Sequence, residues 1–454
     1  MMDNNISAVD NNCDELIYDL NGKAPFKKLF PFALQQVLSM FISNMTPALL
    51  ISSVAVYNGQ ALTAAEIARI LQSAMVIAGV GTIIQGYPIW KIGSRLPLIM
   101  GVSFNFLAVA MNIAAWDYSY LIGAVIIGGI CEGILGLSYK YWSKFITPLV
   151  SGCTVMAIGF SIIGSAVQSL ITSKKYDDGS IENYTIGIVT MLIAMLLYLK
   201  GHGYFKQLYI LIALVIGYIL ALIFGIVDIG SAHETIDQLG IISLPPILYF
   251  KPKFNLGSII AIILIFMTSA AETIGDTTAL INGALNREPA PGEISGSLAC
   301  DGLVSSLSGV FGCTPITTFS AQIGICIMTR IINRRWVLLA GLILIFAGFF
   351  PPVGALLSTI PDCVLGGISV IAFGSILLSG LKMVYEAGLN ERNMIIASAS
   401  LTLGIGLSLS RIAFVQAPEL VKNIFENNTV ACVFTCVLIL ETILPKSPSQ
   451  DSGK

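Results

Sequence analysis

The chain has few charged residues for its length. Only 11% of its 454 residues are Asp, Glu, Lys or Arg, whereas soluble globular proteins carry about 25%. Acidic and basic residues nearly balance, at 26 and 24, so no cationic surface for nucleic acid is expected. The sequence has two histidines, no Cys-x-x-Cys pair and no GxxxxGK[ST] loop. A metal site, a cofactor, enzymatic chemistry and ATP-driven pumping are therefore not predicted.

Apolar residues and glycine are abundant instead. Hydrophobic residues make up 55% of the chain, and there are 43 glycines, a composition typical of a bundle of helices packed in lipid. Because a helix needs about 20 apolar residues to cross the hydrocarbon core, we predict an all-α membrane protein with about fourteen spans. The predicted spans 1 to 14 are 30–56, 64–89, 96–115, 118–139, 145–170, 185–199, 207–227, 257–283, 294–311, 315–330, 335–352, 361–382, 392–410 and 428–444.

The positions of the basic residues predict how the bundle is oriented. Cytoplasmic connections retain Lys and Arg. If the N-terminus lies in the cytoplasm, most of the 24 basic residues fall in cytoplasmic connections. The sequence therefore predicts a plasma-membrane protein with both termini cytoplasmic. The polar ends, 1–28 and 446–454, are interpreted as tails, the first of them disordered.

Fourteen spans divide into two halves of seven with opposite orientations, as in many secondary transporters. Spans 3 and 10 occupy matching positions in these halves. Each begins near a proline, Pro97 or Pro315, and contains a glycine and a Ser/Thr-Phe cluster. Interrupted spans at matching positions indicate a binding site at the membrane midplane. The alternative is a pair of kinked but continuous helices.

Four acidic residues fall well inside predicted spans, away from the span ends. Glu272 and Asp276 in span 8 are four residues apart and share a helix face; Asp301 lies in span 9 and Glu132 in span 4. An ionisable group near the bilayer centre costs about 2.5–3.5 kcal/mol, so it should have a function or a partner. Each acid could instead simply bond a neighbouring backbone or hydroxyl group. Glu132, which is flanked by glycines, is interpreted as structural.

The buried acids suggest the chemistry of the solute. A carboxyl group donates when protonated and accepts when ionised, so it suits a small, flat, amide-rich solute. Together with the missing ATP-binding loop, this favours an ion-coupled secondary transporter. A passive channel or an inorganic-anion exchanger is the alternative class.

Six stretches of the chain carry a family resemblance. They read LQQVLSMF from Leu34, GSRLPLIMGVSF from Gly93, TPLVSGCTVMAIGFSII from Thr147, AETIGD from Ala271, CDGLVSSLSGVFGCTPITTFSAQIGICIMTR from Cys300 and PDCVLGG from Pro361. Together they make the sequence resemble the nucleobase–ascorbate transporter family, the uracil and xanthine permeases, as a divergent member.

The resemblance implies a fold of two inverted seven-span repeats with short strands in spans 3 and 10. It implies a core domain over 29–143 (spans 1–4) and 257–360 (spans 8–11), and a gate domain over 144–256 (spans 5–7) and 361–445 (spans 12–14). It also implies a homodimer in the lipid bilayer that carries a nucleobase together with a proton, or with sodium as the alternative ion.

The resemblance also assigns residues to the site. Glu272 matches the glutamate that hydrogen-bonds the base, and Ser103 and Phe104 lie in the span 3 segment that contacts it. Asp301 matches an acid tied to coupling. Apart from the resemblance, Asp276 is a further candidate for carrying the coupling proton, because of its position beside Glu272 in span 8.

The signature after the start of span 10 is matched only in part. Gly324, Thr329 and Arg330 agree with it, but Ala321 and Gln322 stand where the family usually has Gln or Glu followed by Asn. We expect Gln322, or the backbone beside it, to complete the pocket. The small Ala321 leaves room for a second ring and favours a purine such as xanthine or uric acid, with uracil as the alternative. The histidine of the family's first span is also lost, because Gln36 occupies its position.

Overall fold

A computed structural model describes residues 18–142, 147–173, 175–201, 208–410, 412–426 and 428–445. It is almost entirely helical. The helices of the first half are α1 (Phe26–Val54), α2 (Ala64–Gly86), α3 (Leu107–Trp116), α4 (Tyr118–Leu137), α5 (Tyr139–Trp142), α6 (Pro148–Leu170), α7 (Ile181–Lys200) and α8 (Tyr209–Ile223). Those of the second half are α9 (Ile229–Leu239), α10 (Leu256–Leu280), α11 (Pro291–Val310), α12 (Ser320–Thr329), α13 (Arg335–Gly348), α14 (Pro351–Ser358), α15 (Asp362–Glu386), α16 (Glu391–Leu409), α17 (Glu419–Phe425) and α18 (Thr429–Ile443).

Each of the predicted spans contains a helix in the described part of the chain. Eight of these helices are long and apolar enough to cross a membrane, and α13 with α14, bent by 73°, makes a ninth candidate. Spans 3, 7, 10 and 14 contain shorter helices, from 10 to 15 residues. The chain is therefore a helical multi-pass membrane protein.

The boundaries differ from the prediction at the N-terminus. Helix α1 begins at Phe26, so the range 1–28 assigned to a disordered tail is too long at its end. Asn333 donates through Nδ2 to the carbonyls of Asp19 and Gly22 at 3.0 and 2.8 Å, which fixes the segment before α1. Residues 1–17 and 446–454 lie outside the described residues. The sequence did not predict α9, α14, α17 or the hairpin of β1 (Val56–Tyr57) and β2 (Gln60–Ala61).

Spans 3 and 10 are interrupted, as predicted, and the interruptions pair with each other. Strand β3 (Met100–Val102) lies antiparallel to β4 (Ile316–Thr318), with Gly101 opposite Thr317. Proline shortly before each strand, at 97 and 315, opposes a helix there, and the β-branched residues of β4 favour an extended chain. The alternative of two continuous helices is therefore wrong.

The outer edges of this two-stranded sheet are closed by side chains. On β3, the amide of Met100 donates to Thr82 Oγ1 at 3.0 Å and that of Val102 to Asn44 Oδ1 at 2.6 Å. These acceptors come from α2 and α1. A backbone amide left unpaired in hydrocarbon costs several kcal/mol, so each helix side chain stabilises the extended segment.

The edge of β4 is closed in the same way by α11. Ile316 donates its amide to Ser305 Oγ at 3.1 Å, and Thr318 donates its amide to Asp301 Oδ2 at 3.0 Å. The sheet is thus held by three helices and its own ladder.

Glycines let pairs of helices come close around the sheet. A Cβ atom added to Gly302 in α11 would lie 2.2 Å from the amide nitrogen of Gly133 in α4, and one added to Gly129 would lie 2.5 Å from the Gly302 carbonyl. Helices α2 and α13 approach similarly, since a Cβ on Gly79 would lie 2.5 Å from the Gly341 carbonyl. Because these contacts are made by backbone atoms, a side chain larger than the hydrogen of glycine would push the two helices apart.

We predict that Gly302→Ala lowers the melting temperature of the purified protein by several degrees, because α4 and α11 must separate to admit the methyl group. Gly164→Ala is the matched control, since no atom lies within 4 Å of an added Cβ at this helical position and alanine favours a helix. Thermal unfolding in detergent measures both. Equal melting temperatures for the two variants would contradict the role assigned to this contact.

Candidate functional site

A cavity of about 400 Å³ lies beside the two broken spans. One wall is formed by α1, the segments around β3 and β4, and α10. The opposite wall is formed by α6, α8 and α15. The lining residues are Ser43, Val102, Ser103, Phe104, Asn105, Val155, Ile210, Glu272, Thr317, Thr318, Phe319, Ser320, Ser375, Ile376 and Ser379.

Glu272 is the acidic residue among these lining residues, and it lies where two helices begin. Asn105, in the 3₁₀ turn Phe104–Phe106 that starts the helical part of span 3, donates through Nδ2 to Glu272 Oε2. Ser320, the first residue of α12, lies with Oγ 3.0 Å from Glu272 Oε1. The positive ends of two helix dipoles thus face the carboxyl group. The structure thus places Glu272 in the wall of this cavity; its role in binding a base stays a prediction.

Ser320 connects Glu272 to Asp276, one helical turn further along α10. Its Oγ lies 2.6 Å from Asp276 Oδ2. A serine hydroxyl has one hydrogen to donate. It can donate to only one carboxylate, so the other contact is a hydrogen bond only if that carboxyl carries a proton and donates to Oγ. Both contacts are therefore hydrogen bonds when one of the two carboxyl groups carries a proton, so the hydrogen bonds of this three-residue group are satisfied by a single added proton.

The predicted residues of span 3 line the cavity. Phe104 is half-buried and contacts Phe373 of α15 edge to face, with ring centroids 6.1 Å apart. Ser103 caps the 3₁₀ turn, because its Oγ accepts from the Asn105 amide at 3.4 Å. Phe104 can present a ring face to a flat solute, an arrangement favoured by aromatic stacking.

Asp301 is fully buried and is not among the residues that line the cavity. Its carboxyl oxygens accept from Gln85 Nε2 at 3.1 Å, Thr273 Oγ1 at 2.6 Å, and both the Oγ1 and the amide of Thr318 at 3.0 Å. Asp301 therefore ties α2, α10 and α11 to β4, whose Thr317 and Thr318 line the cavity.

Gln322 is placed differently from the prediction. It is buried, its Oε1 accepts from Ser39 Oγ of α1 at 3.1 Å, and it is not among the residues that line the cavity. Gln322, the third residue of α12, turns away from the cavity, whereas the first, Ser320, faces it. The backbone of Ala321 lies in the same turn, and its side chain lies outside the described part of the structure.

The signature residues lie further along α12 and away from the cavity. Gly324 has open space around an added Cβ, and Thr329 donates through Oγ1 to the Ile325 carbonyl at 2.8 Å. Arg330 ends the helix with φ of 56° and is exposed. Thr329 and Arg330 thus shape the end of α12, Gly324 lies in its middle, and none of the three is among the residues that line the cavity.

Glu132 also lies away from the cavity. It is fully buried in α4, and no hydrogen-bond partner for its carboxyl oxygens is found among the described residues. Its helix packs on α11 through the glycines on either side of it, and the structural interpretation of Glu132 stays a prediction.

Several lining residues were not predicted from the sequence. Ser375 and Ser379 of α15 face the cavity from the wall opposite Glu272, and Ser320 bridges the two acids. The two α15 serines are one helical turn apart in a mostly apolar span, so their spacing was the available signal. Ser320 had no comparable signal, because its role depends on where β4 ends.

Comparison with known proteins identifies the family. The family model described as "Permease family", that of the xanthine and uracil permeases, matches residues 27–412. The chain belongs to this permease family. A xanthine permease of Escherichia coli, XanP, is 30% identical over 95% of this chain and 95% of its own length. A nucleobase transporter of Paenibacillus larvae, PlUacP, is 27% identical over 91% of this chain and 94% of its own.

The permease shares its fold with a more distant solved structure. The transmembrane domain of a cyanobacterium bicarbonate transporter, BicA, matches with a TM-score of 0.55 at 15% identity, over 90% of this chain and 96% of that one. At this identity the likeness concerns the fold alone. The permease is a transporter of this fold, not an enzyme.

We predict that Asp301→Asn destabilises the permease more than Thr273→Val. The asparagine places its NH₂ group against groups that themselves donate hydrogen bonds, and it loses charge-assisted hydrogen bonds worth about 1.5–3 kcal/mol each. The valine removes only one of the four donors to Asp301. Thermal unfolding in detergent should show a clearly lower melting temperature for Asp301→Asn. If Asp301→Asn unfolds like the unmodified protein, Asp301 does not hold the sheet.

Proposed function

We propose that this permease is a secondary active transporter that imports a nucleobase, a purine of the xanthine or uric acid type, in symport with a proton. The observation that carries the proposal is the Glu272 carboxyl group, which lies in a cavity at the start of two half-helices beside Phe104. The relatives named as xanthine permease and nucleobase transporter support the same substrate class. A uracil permease is the alternative within this class.

The geometry around Glu272 suits a flat heterocycle. Its two oxygens offer about four acceptor sites in the ionised state, and Asn105 and Ser320 use one on each oxygen. Acceptor capacity therefore remains for N–H groups of a base. Phe104 contributes a ring for stacking, and the hydroxyls of Ser375 and Ser379 on the opposite wall can bond the far edge of the base.

The contacts of Ser320 support the coupling proton. The Glu272, Ser320 and Asp276 group accommodates one proton without losing a hydrogen bond. A base bound to Glu272 competes for the same oxygens, so binding of the base and the position of the proton are linked. Asp301 takes part in coupling as a positioning residue, since it anchors the strand segment that lines the cavity.

The helix packing supports fourteen spans in two inverted repeats. In two such repeats, span 1 corresponds to span 8, span 2 to span 9, and so on. The glycine contact between spans 4 and 9 then corresponds to a contact between spans 11 and 2, and both contacts are present. In the same way, the contact between spans 1 and 11 corresponds to a contact between spans 8 and 4, and both contacts are present. Strand β3 exchanges with β4.

The same packing supports the core and gate domains. Spans 5–7 and 12–14 pack closely among themselves, above all α6 with α15 and α16 with α18. The cavity lies between these helices and those of the core. We also propose that both termini are cytoplasmic, that the protein lies in the plasma membrane, and that it forms a homodimer.

An inorganic-anion exchanger is the alternative class, because the bicarbonate transporter shares the fold. The cavity does not favour it. Among its lining residues, all within the described part of the chain, there is no Lys, Arg or His, and the carboxyl group of Glu272 occupies the helix starts that would otherwise attract an anion.

We predict that Glu272→Gln lowers saturable xanthine uptake into proteoliposomes by about 10-fold or more. Losing a hydrogen bond to a charged group costs about 1.5–3 kcal/mol, which corresponds to about 10- to 100-fold in affinity. Glu386→Gln is the matched control, because Glu386 is an exposed acid at the end of α15. Competition by unlabelled uracil, xanthine, urate and sulfate identifies the substrate.

The outcomes separate the hypotheses. Saturable sulfate uptake without uptake of any base would overturn the nucleobase proposal, and unchanged kinetics for Glu272→Gln would remove Glu272 from the site. A pH-sensing dye inside the liposomes tests the ion: acidification that follows xanthine entry is expected, and stimulation by sodium alone would contradict proton coupling.

A further inference from the structure

A second, basic pocket lies at the end of the bundle where α1 begins. It has a volume of about 520 Å³. Its walls come from the segment before α1, the connection between α2 and β3, the start of α11 and the segment before α13. The lining residues are Leu20, Asn21, Tyr87, Pro88, Arg95, Arg287, Glu293 and Arg334. Three guanidinium groups therefore share the pocket with a single carboxylate.

Two of these arginines are held in place. Arg287 donates through Nη1 to Glu293 Oε2 at 2.8 Å. Arg334 donates to Asn21 Oδ1 and to the Gly86 carbonyl, and its guanidinium lies 5.7 Å from the centre of the Tyr87 ring. Preorganised guanidinium groups lose little entropy when they bind an oxyanion, so the pocket is ready to receive one.

The third arginine, Arg95, differs from the other two. Arg95 is exposed, and neither a hydrogen bond nor an ion pair of its side chain is found among the described residues. Its backbone is fixed, because its amide donates to the Gln85 carbonyl at 2.9 Å. Glu293 pairs with Arg287, so two positive charges in the pocket are uncompensated: that of Arg95 and that of Arg334, whose acceptors on Asn21 and Gly86 are neutral.

An exposed apolar tip lies next to the arginines. In the connection between α2 and β3, Ile89 and Ile92 form a tight bridge, and Ile89 and Trp90 are 61% and 75% exposed. Tryptophan at a span end is typical of the membrane–water interface. The tip thus places the basic pocket at the depth of the lipid headgroups.

We propose that this pocket binds a phosphate group, that of an anionic phospholipid at the membrane surface. Arginine forks match phosphate oxygens, and basic pockets between spans bind anionic headgroups. The pocket is separate from the Glu272 cavity and shares no lining residue with it. Free phosphate has the same chemistry and is the second source to be tested. The proposal does not depend on the transported substrate.

The test compares phosphatidylglycerol, phosphatidylcholine and inorganic phosphate. Native mass spectrometry of the full-length protein should show retained phosphatidylglycerol and little phosphatidylcholine. Arg95→Asn is the sharpest variant, because Arg95 has φ of 63° and asparagine tolerates this left-handed conformation. We expect about a fivefold loss of affinity, since each basic residue near the surface contributes about 1 kcal/mol. Arg287→Gln gives a second, independent loss.

Lys382→Ala is the matched control, because Lys382 is 76% exposed at the end of α15 and does not line the pocket. It should bind lipid like the unmodified protein. Melting temperatures without lipid show whether each variant is folded. Inorganic phosphate that displaces the lipid, or binds alone with the same sensitivity to Arg95→Asn, identifies free phosphate as a source. Equal retention of both lipids without phosphate binding, or unchanged binding in folded Arg95→Asn and Arg287→Gln, would overturn the proposal.

Discussion

The need to satisfy backbone amides inside the membrane governs this structure. Helices satisfy their own amides, but β3 and β4 interrupt two spans and expose theirs. The two strands pair with each other. Each backbone amide that points away from the partner strand has a side-chain acceptor; these are the amides of Met100, Val102, Ile316 and Thr318. Because an unpaired amide costs several kcal/mol in hydrocarbon, these acceptors are as necessary to the fold as its apolar packing.

The same interruption creates the site. Ending one extended segment and starting a helix exposes a helix start at the membrane interior, and this happens twice, at Asn105 and Ser320. Glu272 projects from α10 between these starts, where the dipoles favour negative charge. The glycines that bring α4 against α11 and α2 against α13 hold the surrounding helices close enough for the acceptors to reach the strands. Fold and site therefore have a common origin.

Much of this could be predicted from the sequence, and the remainder has an identifiable cause. The positions of the broken spans followed from Pro97 and Pro315, and an acid inside span 8 indicated Glu272, because prolines and buried charges restrict local structure. The directions in which side chains point could not be predicted from the sequence in this way. Gln322 was expected in the pocket but faces α1, since rotation of α12 depends on where β4 ends. Asp301 appeared only as a coupling acid, because its bond to the Thr318 amide requires a strand from a distant segment.

The single hydrogen of Ser320 has an electrical consequence. A cluster of two carboxyl groups and one hydroxyl that is satisfied by one added proton has two charge states, with and without that proton, that differ by one unit. In the proton symport that we propose, that unit crosses the full membrane voltage together with a neutral base, and the voltage contributes about 2.3 kcal/mol for each 100 mV. At 25 °C this corresponds to roughly a 40- to 50-fold concentration ratio of the solute. Under the proposed symport, the geometry of one serine thus limits how far the membrane voltage can concentrate the base inside the cell.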